Sequence, residues 1–167
     1  TGKPKGVQVS HRALTNFLWA MKEKPSITDR DTLAALTTIS FDIAALELYL
    51  PLIVGATVAI LPKEISADGS LLAEALEKEN ATITQATPAT WRMLLESGWQ
   101  GKADLKMLCG GEALNLKLAK RLAPKGAELW NMYGPTETTI WSSVCQISAE
   151  DESISIGRPI AIPNFIF

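Results

Sequence analysis

The chain is 167 residues long, with 47% hydrophobic and 20% charged residues, enough for one globular unit with a real core. Its formal net charge is −2 and its basic residues are scattered, so no patch directs it to nucleic acid. The two cysteines, Cys109 and Cys145, lie far apart and His11 is the single histidine; this excludes a Cys- or His-rich metal or redox centre and fits a reducing cytoplasm.

The chain opens on TGKPKGVQVSH with no Met and no charged-then-apolar signal segment. It closes on AIPNFIF, an apolar strand-like run, so both ends read as cut through structure and the chain is expected to be a piece of a longer protein. The run GVQVS (6–10) reads as a strand, and residues 11–23 as an amphipathic helix with Leu14, Phe17, Leu18 and Met21 on one face. A strand over 32–39 and a helix over about 41–54 follow, the latter with Ser40 as its cap. Residues 43–62 are apolar enough to suggest a membrane span, but Glu47, Pro51, Gly55 and Pro62 divide them into helix, turn and the strand 57–62, and no membrane partner is expected. Then come a helix over 69–80, a strand over 82–87, and a helix that Pro88 opens as a first-turn residue. A strand over 105–111, a helix over 115–123 and a strand over 127–134 complete the alternation, and the tail from Trp141 reads as strand, loop, strand. Short connections and near-continuous apolar strands predict an α/β fold, a doubly wound, mostly parallel sheet with helices on both faces.

In such a sheet ligands bind beyond the carboxyl ends of the strands. Ser40-Phe41-Asp42, Gln85-Ala86-Thr87-Pro88, Gly110-Gly111-Glu112-Ala113 and Tyr133-Gly134-Pro135-Thr136-Glu137 all fall there. Each has an ordinary reading beside a functional one. TGKPKG (1–6) is not the Gly-Lys-Ser/Thr loop of the common NTPases and by itself is a solvated turn. Gly110-Gly111 makes a tight turn, or admits a flat ligand where no Cβ intervenes. Asp42 complements a helix dipole, or pairs with a ligand ammonium group beside Ile43 and Leu46. Tyr133 offers a ring for stacking, Asn131 an amide for a base edge, Thr136 a donor for phosphate, and Glu137 a carboxylate for Mg²⁺.

Taken together, TGKPKGV (1–7), FDIAALELYLPLIVGA (41–56), GGEAL (110–114), NMYGPTETTIW (131–141) and IGRPI (156–160) resemble the adenylate-forming enzymes, most closely the amino-acid adenylation domains of nonribosomal peptide synthetases. The resemblance covers essentially the whole chain and implies a flavodoxin-like middle subdomain, with the N-terminal part and the C-terminal lobe absent. It implies conversion of an amino acid and Mg-ATP to an aminoacyl-adenylate, then transfer to the thiol of a carrier protein's phosphopantetheine arm. By motif, Asn131 and Tyr133 hold the adenine, Gly111 and Ala113 line its other side, and Glu112, Met132 and Gly134 belong to the same wall. Thr136 contacts the α-phosphate and Glu137 coordinates Mg²⁺, the pair closest to the chemistry, while Thr1, Gly2, Lys3 and Lys5 end the phosphate loop. Asp42 takes the α-ammonium group, which favours an amino acid. The substrate pocket comprises Phe41, Asp42, Ile43, Leu46, Gln85 or Ala86, Leu108, Gly110, Met132, Ile140 and Trp141. Bulky Leu46, Met132, Ile140 and Trp141 leave little room, a set that resembles glycine-activating domains, with alanine or another small residue next. The family's catalytic lysine and ribose-binding Asp lie beyond this chain, so alone it is expected to catalyse little or nothing. The alternatives are an acyl- or aryl-CoA ligase of the same superfamily and a nucleotide-binding module without turnover.

Overall fold

A computed structural model describes residue 2 and residues 5–160, and parallel pairing of short apolar strands organises it. Strands β1 (Thr32–Ala35), β2 (Thr57–Ile60), β3 (Ile83–Ala86), β4 (Lys106–Cys109) and β5 (Glu128–Tyr133) pair in parallel. Strands β6 (Ser143–Ile147) and β7 (Arg158–Pro159) close one edge antiparallel. The order β2-β1-β3-β4-β5-β6-β7 makes one seven-stranded sheet whose parallel part has the flavodoxin-like succession.

Side chains alternate between two cores, one on each face of the sheet. Leu33 and Ala35 of β1 join Leu108 and Trp130 in a core covered by α1 (His11–Met21) and α2 (Ala44–Val54). Ala34, Met107, Cys109 and Leu129 face the other core. There the short α3 (Lys63–Ser66) leads into α4 (Gly69–Lys78), and α5 (Pro88–Glu96) and α6 (Leu116–Leu122) complete the cover. The predicted α/β class and mostly parallel doubly wound sheet are thus observed.

Local chemistry explains most helix starts. Ser10 caps α1 by accepting from the Ala13 N–H at 3.2 Å. Asp68 caps α4 by accepting from Ser70 and Leu71, and Asn115 caps α6 from Leu118. Thr87 caps α5, with Pro88 in its first turn as expected.

Two expectations are corrected. Residues 6–10 pair with none of the strands; Val7 and Val9 stay exposed, and the segment runs into the α1 cap instead. Helix α2 begins at Ala44 with no side-chain cap, so Ser40 does not serve as one; residues 38–41 form a turn closed by the Phe41 N–H on the Thr38 carbonyl at 3.0 Å, and residues 41–44 a second closed by the Ala44 N–H on the Phe41 carbonyl at 3.1 Å. The residues after Tyr133 make a single 3-10 turn (Thr136–Thr138). The closing run 161–167 lies outside the described residues.

Leu76 of α4 is fully buried in the second core, whereas Leu71 on the same helix is half exposed. Leu76→Ala is expected to cost about 2–5 kcal/mol and Leu71→Ala at most about 0.5 kcal/mol, as read from urea unfolding.

Candidate active site

All five parallel strands deliver their following loops to one edge, and two clefts open there. The first, of about 510 Å³, is floored by Leu36, Thr37 and Thr38 after β1 and by Ala86 and Thr87 after β3. Those loops flank the point where strand order reverses, the usual ligand crevice of an open α/β sheet. Phe41, Asp42, Ile43, Gln85 and Trp141 of the predicted substrate set line it as well. The second cleft, of about 440 Å³, is lined by Gly111, Glu112, Ala113, Asn131, Met132, Tyr133 and Gly134. These seven were expected to form the nucleotide wall. Gly111, Glu112, Gly134, Pro135 and Trp141 border both clefts, so the two adjoin.

The first cleft, next to the Pro135 that it shares with the second, carries the site's most informative contact. The Thr136 hydroxyl donates to the Asp42 carboxylate at 2.5 Å, joining residues 94 apart in the chain. Both side chains are half-buried beside the first cleft, and Glu137 next to them is exposed. The residue expected to meet an ammonium group and the one expected to meet a phosphate are therefore neighbours.

Beneath the first cleft, Leu46, Leu108, Met132 and Ile140 are buried in the core under α1 and α2. Leu46 and Leu108 border neither cleft; Ile140 and Asp42 border a smaller one of about 210 Å³ against α1. Leu46, Leu108, Met132 and Ile140 back the first cleft rather than line it. Trp141 closes it. Its indole is tight against Gly110, where a Cβ would stand 2.5 Å from Cη2 of the ring and 2.9 Å from the Met132 carbonyl oxygen. A Cβ on Gly134 would meet the Trp141 Cα at 2.6 Å, so two glycines make room for this one residue.

The second cleft suits a flat, polar ligand. Tyr133 is 50% exposed, its ring free for stacking. Asn131 is buried and its amide donates to the Ser155 carbonyl at 2.8 Å, which orients the side chain from behind. Among the described residues no group of three or more His, Cys, Asp or Glu side chains could hold a metal ion. Glu137 is exposed and borders neither cleft, beside Thr136 in the chain; a lone carboxylate completed by phosphate oxygens is the kind of site that suits Mg²⁺. Gly2 and Lys5 are exposed and line neither cleft, and Thr1 and Lys3 lie outside the described residues.

The structure adds a residue that sequence reasoning used only as an argument against a membrane span. Glu47 is fully buried in α2 and accepts from the Leu36 and Thr37 N–H groups, the Thr37 hydroxyl and the Gln85 amide. Burial pushes its carboxyl above the ordinary glutamate range, against those four hydrogen bonds. A lone acid inside AALELYLPLIV was the available signal. No helix among the described residues is long and apolar enough to cross a membrane.

A family model described as AMP-binding enzyme matches residues 1–164. The chain belongs to the AMP-binding enzymes. It is 44% identical over 161 residues to a dimodular nonribosomal peptide synthase of Bacillus subtilis (strain 168), covering 96% of this chain and 7% of that protein. It is 32% identical over 170 residues to the L-proline--[L-prolyl-carrier protein] ligase of Streptomyces coelicolor, covering 98% of this chain and 32% of that one. The crystal structure of a four-domain holo nonribosomal peptide synthetase bound to AMP and glycine matches with a TM-score of 0.91 at 48% identity, over 96% of this chain and 12% of that chain. The resemblance drawn from the motifs holds, and the fold is that of solved adenylation structures in the adenylate-forming ligase superfamily.

In this AMP-binding chain Gly110→Ala would drive a methyl into the Trp141 ring and the Met132 carbonyl. The expected cost is about 1–3 kcal/mol in stability, the range for overpacking a filled site, checked by thermal unfolding.

Proposed function

We propose that the chain is the substrate-binding subdomain of an amino-acid adenylation domain in a nonribosomal peptide synthetase. It selects a small amino acid, glycine first, for conversion with Mg-ATP to the aminoacyl-adenylate and onward transfer to a carrier-protein thiol. The observation that carries this is the Thr136–Asp42 hydrogen bond in the first cleft, where it adjoins the second. A carboxylate there is placed to hold an ammonium group, while a hydroxyl beside it is placed to meet phosphate. An α-amino acid anchored through its ammonium at Asp42 then presents its own carboxylate toward the second cleft, where that oxygen attacks the α-phosphorus and pyrophosphate leaves.

Tyr133, Gly111 and Ala113 would sandwich the base, with Asn131 at its edge and Glu112, Met132 and Gly134 completing the wall. Thr136 would pass from Asp42 to an α-phosphate oxygen as substrate arrives. Glu137 would hold Mg²⁺ with the phosphate oxygens, whose negative charge the ion offsets. Little covalent work falls to the protein; positioning and preorganised charge supply the rate. Gly2 and Lys5, with Thr1 and Lys3, would contribute to the phosphate side within the complete domain.

Three observations support glycine. The Trp141 ring fills the space that Gly110 vacates. Leu46, Met132 and Ile140 leave no give behind it. A relative 48% identical binds AMP and glycine. The full activity belongs to the whole adenylation domain, together with its remaining lobes and carrier protein.

Amino-acid-dependent ATP–pyrophosphate exchange in a complete adenylation domain carrying this segment tests the reading. Exchange should be led by glycine, with alanine next. Glu137→Ala should lower it about 100-fold, the scale of losing one transition-state charge contact, with the fold intact. Full activity in that variant, or exchange with no amino acid, sinks the reading and turns attention to an acyl- or aryl-CoA ligase.

A further inference from the structure

Glu47 is the only charged residue in α2, is fully buried, and has no part in the activation chemistry. Its Oε2 accepts from the backbone N–H groups of Leu36 at 2.8 Å and Thr37 at 2.9 Å. Its Oε1 accepts from the Thr37 hydroxyl at 2.6 Å and from the Gln85 amide at 2.8 Å. Gln85, equally buried, also donates to the Ile43 carbonyl at 3.2 Å and accepts the Trp141 indole N–H at 2.8 Å. An indole nitrogen only donates, so it must face the Gln85 oxygen, which turns the Gln85 nitrogen toward Glu47. The direction of the whole chain of bonds is thereby determined.

We propose that Glu47, acting through Gln85, is a specificity-positioning residue: the Glu47–Gln85–Trp141 relay locks the indole against Gly110 as the fixed wall of the substrate cleft and so sets the size of side chain admitted. This rests on the adenylation reading of the site. Trp141 borders both clefts, and a swing of its ring would enlarge the first. Such a swing leaves a buried N–H without an acceptor, which opposes it. The backbone makes the same restriction from the other side. Thr139 and Ile140, both β-branched, enter Trp141 at φ 67° and 71°, a region such residues rarely occupy. A ring held by a directed bond at one end and a constrained backbone at the other is a rigid gauge of size.

Glu47→Gln tests the relay with almost no change in shape. Its single oxygen is claimed by the Leu36 and Thr37 N–H groups, so its amide nitrogen faces the Gln85 nitrogen, donor against donor. Gln85 must turn, and Trp141 loses its acceptor. In a complete adenylation domain, pyrophosphate exchange is measured with glycine, alanine and leucine. The ratio of kcat/KM for alanine and for leucine to that for glycine should rise about 10-fold, chiefly through KM, as expected when a pocket gains room for a methylene. The double variant Glu47→Gln/Gln85→Glu restores a donor–acceptor pair and an acceptor for the indole but turns a carboxylate oxygen toward the Ile43 carbonyl, which loses its donor, so the ratio should return part of the way to the wild-type value. A purely structural role for Glu47 predicts no such recovery. Where Glu47→Gln does not fold, Gln85→Met, which severs both links without a donor clash, should raise the ratio in the same way. A folded single variant with the wild-type ratio, or a double variant that leaves the ratio as high as in the single variant, overturns the relay alone. Wild-type exchange led by a large amino acid does so too, whereas wild-type exchange with no amino acid overturns the activation reading and the relay together.

Discussion

Parallel pairing is the constraint from which the rest follows. Five strands that all run the same way must end on the same edge, and every loop after them meets there. The reversal of strand order around β1 then parts two of those loops and leaves a crevice between them. Residues drawn from positions 36–43, 85–90, 110–113 and 133–141 become neighbours because the sheet leaves them no other place to go. The antiparallel β6 contributes differently. By doubling back along β5 it brings Trp141 across the mouth of that crevice, which a further parallel strand would not do.

Much of this was legible in the sequence. Near-continuous apolar runs such as the one over 105–109, each bounded by turn residues, identify buried parallel strands, and Thr87-Pro88 or Asp68-Gly69 mark helix starts by local bonding alone. Alternation over a few residues is weaker. The run 6–10 has the period of a strand, yet it has no neighbour in the sheet, and pairing is a property of two segments rather than one. The start of α2 was misjudged for a related reason. Asp42 is drawn to Thr136, 94 residues away, and no local pattern records that bond.

The candidate site divides along the same line. Its residue types and their order after each strand carry the chemistry in plain view, because a carboxylate, a hydroxyl and a ring are informative wherever they stand together. Depth is not in view. Leu46 and Leu108 read as pocket residues, but they stand behind the wall and Trp141 forms its face. Whether an apolar residue lines a cavity or supports it depends on the height of neighbouring side chains, and Gly110 decides that height by having none.

The buried polar relay beneath the cleft poses a question of economy, since apolar side chains of the same volume could fill that space without desolvating a carboxylate. Direction is the difference. Dispersion contacts hold a ring against its neighbours but resist sliding and rotation only weakly, being shallow for each atom pair and alike in every direction. A bond from the indole N–H to Gln85 holds one torsion of that ring, and the bond from Gln85 to Glu47 holds the amide that receives it. Glu47 in turn is held by two backbone N–H groups of the loop after β1, the same loop that floors the cleft. Wall and floor are therefore registered to each other through three side chains and a strand end. On the proposed glycine reading the cleft would have to distinguish hydrogen from methyl, and a wall that yields by a fraction of an ångström would admit both.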